Sequence, residues 1–316
     1  KYCVMPAFPK PAFTYNFSVK EQIDLLLAHK EKRHIPQKSK TKLLIASWNI
    51  ANLGLHKRWT IHAALIAEII DWFDLIAIQE VNVNLEGLRQ IEAALPSHYN
   101  LLFSDKAGNN ERFAYIFDSR VVKQLEMVGE VAIPPKDHKY IKLPGVTSSF
   151  TGFDRNPYLG SFQWRNTNFV LLNVHSYFGS NSKKNIHRRA LETYAIARHT
   201  DLMGNSKYAF SDKIIALGDF NLPLVEPGDL IYKALVKRGL ELPKHSTKVY
   251  SNIADDKMYD QIAFLPSLKS TIQANGTFDF DNAVFPDLWQ ENHSKFKSYV
   301  KYYLSDHRPI WMQIAF

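Results

Sequence analysis

The sequence predicts an α/β fold, and two observations carry that prediction. Short apolar runs with the length and bulk of buried strands recur at residues 43–46, 75–78 and 214–217. Segments with apolar residues at helical spacing alternate with them, at residues 60–72, 85–95 and 185–202. The strand runs do not alternate with polar residues, so both of their faces are expected to be covered. That pattern fits two sheets packed together with helices outside, or one sheet between two helix layers.

Residues 1–42 read as an N-terminal extension. Pro6, Pro9 and Pro11 interrupt any early regular structure. Ser18-Val19-Lys20-Glu21 is a capping-box pattern ahead of Ile23, Leu25, Leu26 and Leu27, which predicts a short helix. Six lysines and arginines between Lys30 and Lys42, around Pro36, read as a basic, solvated linker. From Leu43 the alternation begins. Further strands are expected at 113–117, 169–174, 259–264 and 310–316. Gly204 is expected to stop the long helix that starts near Asn185. No short-period repeat or low-complexity tract divides the rest, so residues 43–316 are expected to form one catalytic domain.

The chain has 316 residues, 46% hydrophobic and 22% charged, which is the balance of a folded protein and not a disordered one. The formal charge of +8 and pI near 9.3 suit a polyanionic partner such as nucleic acid or an anionic membrane, or simply a lysine-rich surface. No apolar run approaches the roughly 20 residues that span a bilayer. Residues 63–70 come nearest and are interrupted by Glu68. A single cysteine, Cys3, allows no internal disulfide and leans toward a reducing compartment. Export with a signal already removed fits as well, so the compartment stays open. Nothing in the sequence requires a stable protein partner, and a monomer is expected.

The chemistry lies at the strand ends. The first run ends in Trp48-Asn49, the second in Gln79-Glu80, and the strand from Phe169 in Asn173-Val174-His175. The strand from Ile214 ends in Gly218-Asp219-Phe220-Asn221, and the late strands carry Asp260 and Asp306-His307. One such residue is most often a turn former. Six strand ends of this kind suggest groups gathered at one rim. Glu80, Asp306 and Asn49 are hard oxygen ligands that suit Mg²⁺, Mn²⁺ or Ca²⁺ better than zinc. Asp219 and Asn221, two apart, would share a side in extended chain. His175 and His307 could serve as acid and base, each needing a carboxylate behind it. Ser305-Asp306-His307 has the letters of a hydrolase triad, but adjacent residues cannot converge. No nucleophile elbow, Walker loop or dinucleotide fingerprint is present.

These motifs, in this order, resemble those of the endonuclease/exonuclease/phosphatase superfamily. They are Ser47-Trp48-Asn49-Ile50, Ile78-Gln79-Glu80-Val81, Leu217-Gly218-Asp219-Phe220-Asn221, Tyr259-Asp260-Gln261-Ile262 and Ser305-Asp306-His307-Arg308-Pro309. Within it the likeness is to deoxyribonuclease I. Glu111-Arg112-Phe113-Ala114-Tyr115, Phe153-Asp154-Arg155-Asn156-Pro157-Tyr158 and Asn173-Val174-His175-Ser176 look like that enzyme's segments. The resemblance implies a four-layer α/β sandwich with two packed central mixed sheets. It implies Glu80 as principal metal ligand with Asn49 and Asp306, Mg²⁺ or Mn²⁺ as cofactor, and Ca²⁺ as a further structural ion. It implies that His307, backed by Asp260, activates water, and that His175, backed by Glu111, protonates the leaving oxygen. Asp219 and Asn221 would orient water and stabilise phosphoryl charge. Arg112 would lie near the site and Arg155 would contact a flanking phosphate. Whether His307 or Asp219 takes the proton stays open.

The expected activity is metal-dependent phosphodiester hydrolysis, with DNA as the substrate. The basic run Lys183, Lys184, Arg188 and Arg189 is a candidate backbone contact. The alternative is a phospholipid or phosphoinositide substrate, with Tyr177-Phe178 or residues 285–289 as membrane-facing loops. The deoxyribonuclease I relatives in animals carry disulfides, which this chain lacks.

Overall fold

The computed structural model describes residues 7–244 and 249–316. Cys3 and Pro6 lie outside them. In chain order the elements are α1 (Val19–Lys32), β1 (Leu43–Leu53), α2 (Thr60–Asp71), β2 (Leu75–Asn82), α3 (Glu86–Ala94), β3 (Tyr99–Phe103) and β4 (Glu111–Asp118). Then follow β5 (Val122–Glu130), β6 (Tyr158–Trp164), β7 (Thr167–His175), α4 (Lys183–Gly204), β8 (Ile214–Asp219), α5 (Leu230–Val236) and β9 (Asp260–Phe264). The chain closes with β10 (Ile272–Thr277), α6 (Pro286–Glu291), α7 (His293–Tyr303) and β11 (Ile310–Ile314).

The strands form two mixed sheets. One has the order β10-β11-β1-β2-β4-β3, the other β5-β6-β7-β8-β9. Among the described strands only β1 with β2 and β7 with β8 run parallel. Strand alternation sorts side chains between layers. Leu44, Ala46 and Trp48 of β1 pack toward the helices, whereas Leu43 and Ile45 pack between the sheets. In β2, Ile76 and Ile78 face helices, and Leu75 and Ala77 face the other sheet. On the second sheet Val170, Leu172 and Val174 meet α4, while Phe169 and Leu171 face inward. Both faces of every central strand are apolar, which is why the sequence runs showed no alternation. The architecture is the four-layer α/β sandwich that the resemblance implied.

Polar ties also cross between the sheets. Gln79 Nε2 donates to Asn173 Oδ1 at 2.6 Å, and Asn173 Nδ2 donates to the Ile78 and Ala114 carbonyls at 3.1 and 3.0 Å. The Tyr115 hydroxyl lies 2.7 Å from the Tyr158 carbonyl and 3.0 Å from that of Leu171. Such satisfied buried groups fix the register of one sheet on the other.

The N-terminal segment departs from the expected solvated linker. Ser18 caps α1, accepting from the Glu21 amide at 3.3 Å. Leu26 and Ile35 are buried in the cluster over the first sheet, and Phe8, Phe13, Tyr15 and Phe17 pack against it. Two of its lysines are packed, whereas Lys32 and Lys40 are exposed as expected. Lys30 is buried, with its ammonium 4.9 Å from the Trp72 ring, and Lys38 donates to the Tyr99 hydroxyl. Their long stems cover apolar surface, a role that a count of charges hides. α4 ends at Gly204 as expected, although this glycine is not left-handed and Asn205 caps the helix. A Cβ there would lie 2.3 Å from Leu265 Cδ1, so a larger residue would have to displace the end of that side chain.

Asp279 locks α1 in place. His29 Nε2 lies 2.8 Å from its Oδ1, Arg33 Nε donates to Oδ1 at 2.6 Å, and Arg33 also donates to Oδ2. Burial alone would raise this carboxyl's pKa, but His29 and Arg33 outweigh it and hold it far below the usual range. A depressed folded pKa gives stability above the unfolded value of about 3.9, lost as pH falls below it. Asp279→Asn is therefore expected to cost about 1–2 kcal/mol near pH 7, after allowance for Arg33's partial exposure. The deficit should shrink below about pH 4. Urea unfolding across that range checks it, and an equal deficit at pH 3 and pH 7 would refute the ionic lock.

Candidate active site

One rim collects every strand end that the sequence singled out. β1 and β2 run parallel, so Asn49 and Glu80 emerge together, and β7 and β8 do the same for His175 and Asp219. β4, β9 and β11 run antiparallel to their neighbours, so they deliver residues at their starts. These are Glu111, Asp260, and Asp306 with His307. Asp219 pairs with Asp260 in register.

Two backbone departures aim the acids. Both pairings of β2 shift register around Glu80, which sits at φ +60°. A bulge of this kind re-aims a side chain at a strand end. Gly218 sits at φ +139°, and a Cβ there would lie 2.1 Å from the Val174 carbonyl oxygen. Glycine thus lets β8 approach β7 where Asp219 meets His175.

The centre of the site is Asp219. Its Oδ1 accepts from the Asn221 amide at 2.8 Å and its Oδ2 from Asn49 Nδ2 at 3.0 Å. Its Oδ2 also lies 3.6 Å from His175 Nε2 and 3.8 Å from His307 Nε2. Burial would raise its pKa, but His307 and His175 together hold it below the ordinary carboxylate value. Behind each imidazole stands a second acid. His307 Nδ1 is 2.8 Å from Asp260 Oδ2. His175 Nδ1 is 3.1 Å from Glu111 Oε2, although the two are out of hydrogen-bond alignment.

Burial disfavours a charge on His307, but Asp260, Asp219 and Asp306 outweigh it and hold its pKa well above the usual value. Burial also raises Asp260, despite His307. The two effects compete for one proton. More than one acid faces the imidazole, so we place the proton on His307. Glu111 is pushed up by burial and pulled down further by Arg155 and His175.

Glu80 is almost fully buried. Its Oε1 accepts from Asn49 Nδ2 at 2.9 Å and its Oε2 from the Asn52 amide at 2.8 Å. Burial raises its pKa, and Glu111 and Asp306 are near enough to raise it further. Asn49 Oδ1 is buried and has no hydrogen-bond partner among the described residues. Among the described residues, ligand atoms of Asp219, Asp260 and His307 cluster within 4.8 Å of one another. That trio differs from the Glu80, Asn49 and Asp306 set chosen from sequence. His307 Nδ1 engages Asp260 Oδ2, whereas Asp260 Oδ1 is buried without a hydrogen-bond partner among the described residues.

Several residues the sequence could not assign hold the site together. The Ser305 hydroxyl donates to the Asn49 carbonyl at 2.7 Å and accepts from the Ala51 and His307 amides, each at 3.1 Å. Trp48 Nε1 donates to the His307 carbonyl at 2.8 Å. Arg308 is buried and grips Asp281 through Nε and Nη2, both at 2.7 Å. The Ser305 and Trp48 bonds stitch the Ser305–Arg308 segment to β1, and Arg308 ties it to Asp281. They run mainly through backbone atoms, which no residue pattern reveals.

The arginines do not all go where the sequence put them. Arg112 faces away from Glu111, its neighbour on β4, and its Nη1 donates to the Ser104 carbonyl at 2.8 Å. Arg155 is 4% exposed. Its Nε donates to the His175 carbonyl at 3.0 Å, its Nη2 to the Ser176 carbonyl at 3.1 Å, and its Nη1 lies 3.5 Å from Glu111 Oε2. Arg155 is thus held on the backbone at His175 and Ser176 and lies beside Glu111. The basic run on α4 also dissolves. Arg189 is buried on the Tyr177, Phe178 and Asn221 carbonyls, and Arg188 pairs with Asp154 and Glu192. Lys183 and Lys184 alone of the four are exposed. Asn221 Nδ2 donates to the Ser176 carbonyl at 2.8 Å, which ties it to the same rim.

No family model and no curated protein matches the sequence. Solved structures do match, and they give the chain the fold of the endonuclease/exonuclease/phosphatase superfamily. A family protein from Bacteroides thetaiotaomicron is 18% identical with a TM-score of 0.58, over 87% of this chain and 98% of that one. A 3′ phosphatase, NExo, from Neisseria, bound to a product DNA hairpin, is 12% identical with a TM-score of 0.55 over 87% and 100%. An AP endonuclease from Archaeoglobus fulgidus is 14% identical with a TM-score of 0.54 over 85% and 98%. No helix among the described residues is long and apolar enough to cross a membrane.

Proposed function

We propose that the chain is a divalent-metal-dependent phosphodiesterase that hydrolyses DNA by in-line attack of water, in the manner of deoxyribonuclease I. The observation that carries this reading is the approach of two acid-backed imidazoles to one carboxylate. His175 with Glu111 and His307 with Asp260 both face Asp219, at 3.6 and 3.8 Å. Attack on a phosphodiester expels an alkoxide, a poor leaving group, so one proton must be taken and another supplied.

Glu80, Asn49 and Asp306 would hold the cation. The fit is favourable: all three offer hard oxygen, Glu80 is buried, and Asn49 Oδ1 lacks a protein partner. Mg²⁺ or Mn²⁺ there would supply charge stabilisation at the phosphoryl oxygens, with Ca²⁺ a further structural ion. Asp219 and Asn221 orient the attacking water. Of the two proton acceptors left open by the resemblance, an ionised Asp219 between two imidazoles favours Asp219. His307, held as imidazolium, then stabilises developing negative charge. His175 delivers a proton to the leaving oxygen, and Arg155 holds Glu111 behind it.

Arg155 gives a direct test of this arrangement. A phosphate-contacting arginine would, when removed, weaken DNA binding and reduce the salt slope. A brace would instead lower kcat and leave KM and the salt slope unchanged. We expect Arg155→Ala to lower kcat about tenfold or more without moving KM, and a pure KM effect would contradict it.

Nicking of plasmid DNA with Mg²⁺ or Mn²⁺, abolished by chelator, tests the reading as a whole. Parallel incubations with RNA and phospholipid vesicles complete it. Release of lipid head groups with untouched DNA would replace it. For the lipid alternative, Phe285 is fully buried and Arg188 and Arg189 cover the Tyr177 and Phe178 rings at 3.9 and 4.6 Å, which leaves Trp289 as the exposed aromatic of the segments it requires.

A further inference from the structure

The loop that leaves β1 alternates in burial. His56 and Arg58 are buried, while Leu55, Lys57 and Trp59 are exposed. Arg58 is 5% exposed, and among the described residues every hydrogen bond of its guanidinium ends on a backbone carbonyl. Nε donates to Tyr303 at 3.1 Å, Nη2 to Ala51 at 2.6 Å and to Leu304 at 2.9 Å, and Nη1 to Asn52 at 3.4 Å. A buried cation is costly unless its donors are met. Capping the last carbonyls of α7 accounts for Tyr303 and Leu304 alone. The bonds to Ala51 and Asn52 need another reason.

They fall on the backbone that serves Glu80. The Ala51 carbonyl and the Asn52 amide belong to one planar trans unit, so a donor on the oxygen fixes where the N–H points. That N–H meets Glu80 Oε2 at 2.8 Å. Asn52 sits at φ +50°, a left-handed state that persists only where its surroundings hold it. Nη1 holds it from the other side, through the Asn52 carbonyl. Nη2 also holds the Leu304 carbonyl, directly ahead of Ser305 and Asp306. One guanidinium thus joins the strand end that steadies Glu80 to the turn that carries Asp306.

We propose that Arg58 is a positioning residue for the cation half of the site, fixing the aim of Glu80 through the Ala51–Asn52 peptide and the place of Asp306 through the Leu304 carbonyl. Arg58 holds that role only where Glu80 and Asp306 are the cation ligands proposed above. Arg189 offers a matched comparison. It is 1% exposed and likewise donates to carbonyls, those of Tyr177, Phe178, Ser180 and Asn221. None of these belongs to the peptide that holds Glu80 or leads into Asp306.

Position and charge predict opposite signs. Glu80 is near enough for the two charges to act on each other. A guanidinium acting by charge alone would repel a cation, and its loss would tighten metal binding. A guanidinium acting by position would weaken binding when lost.

The full chain is titrated with Mn²⁺ by calorimetry, which needs no turnover. Arg58→Lys keeps the charge and loses the fork, and Arg58→Gln loses both. Both are expected to weaken Mn²⁺ binding about tenfold, the lower end of the range for groups that orient metal ligands. Arg189→Lys should leave it nearly unchanged. Amide hydrogen exchange reads the peptide itself. In Arg58→Lys, exchange at Asn52 should quicken about tenfold, as for one lost hydrogen bond, while exchange at Asn221 holds. Thermal melts show whether each variant remains folded. Unchanged Mn²⁺ affinity in folded Arg58→Lys, tighter binding in Arg58→Gln, or equal quickening at Asn52 and Asn221 overturns the role. If neither Arg58 variant folds, wild type decides. Its Arg58 Nε–H should exchange far more slowly than that of an exposed arginine, and exchange at the solvent rate overturns the clamp. If wild type binds no Mn²⁺, the cation reading fails, and exchange at Asn52 still decides whether Arg58 fixes that peptide.

Discussion

Alanine at either His175 or His307 is expected to lower DNA hydrolysis at least about a hundredfold, within the usual range for an acid–base group. The reasoning is geometric. Each imidazole has a carboxylate behind it and Asp219 before it, so each can hold a proton at Nε2 where a phosphoryl or leaving oxygen would sit. The double variant should lose little more than the worse single one, because the two act on one transition state. His175 should also depend on its leaving group. With 4-nitrophenolate, which leaves without a proton, His175→Ala should recover most of its activity, whereas His307→Ala should not. Full activity of either variant on plasmid DNA would remove that histidine from the mechanism.

Glu80→Gln carries the other large effect. Glu80 is buried, and two donors, Asn49 Nδ2 and the Asn52 amide, already fix its oxygens. The amide keeps the shape and loses the charge that draws a divalent cation. Activity is expected to fall about a hundredfold or more at millimolar Mg²⁺, with part of it regained as metal concentration rises. Isothermal titration with Mn²⁺ reads the same loss without catalysis. The variant should melt somewhat lower, because its new Nε2 must face one of the two N–H donors, a loss of about 1–3 kcal/mol offset in part because burial disfavours the ionised acid. A metal affinity unchanged by the substitution would move the cation away from Glu80.

Much of the site was legible because ionisable residues at the ends of fully apolar runs have few structural uses. Asn49, Glu80, His175, Asp219, Asp260 and Asp306-His307 converge on one rim, as that logic required. Glu111 became readable only through the resemblance, as did Asp260's place behind His307, since Glu111 starts a strand that pairs two elements away. What stayed hidden was of two kinds. Some was backbone work, such as the Asn52 amide on Glu80 and the carbonyls held by Ser305. The rest was arginine. A guanidinium offers the same donors to a phosphate as to a carbonyl, so Arg155 could be placed by sequence but not pointed.

The fold shows the same division. Central strands announced themselves through unbroken apolar runs. β5 did not, because it is an edge strand with Lys123, Gln124 and Glu126 turned outward. β10 carries Asn275 and Gly276, which look like a turn. The N-terminal segment was misjudged because its lysines were counted as charges, when the stems of Lys30 and Lys38 pack and their heads meet Trp72, Tyr99 and Asp118.

The place of β11 has a consequence for how the protein is made. Although near the C-terminal end of the sequence, it lies between β10 and β1 in the first sheet. Translation proceeds from the N-terminus at about 5–20 residues per second, so β1 waits many seconds for that partner. Until then its edge is bare and the rim lacks His307. A ribosome-bound chain that has not yet released Ile310–Ile314 should hydrolyse nothing and should be sensitive to protease in the first sheet. Any activity that depends on His307 would thus be gained only once β11 has joined β1.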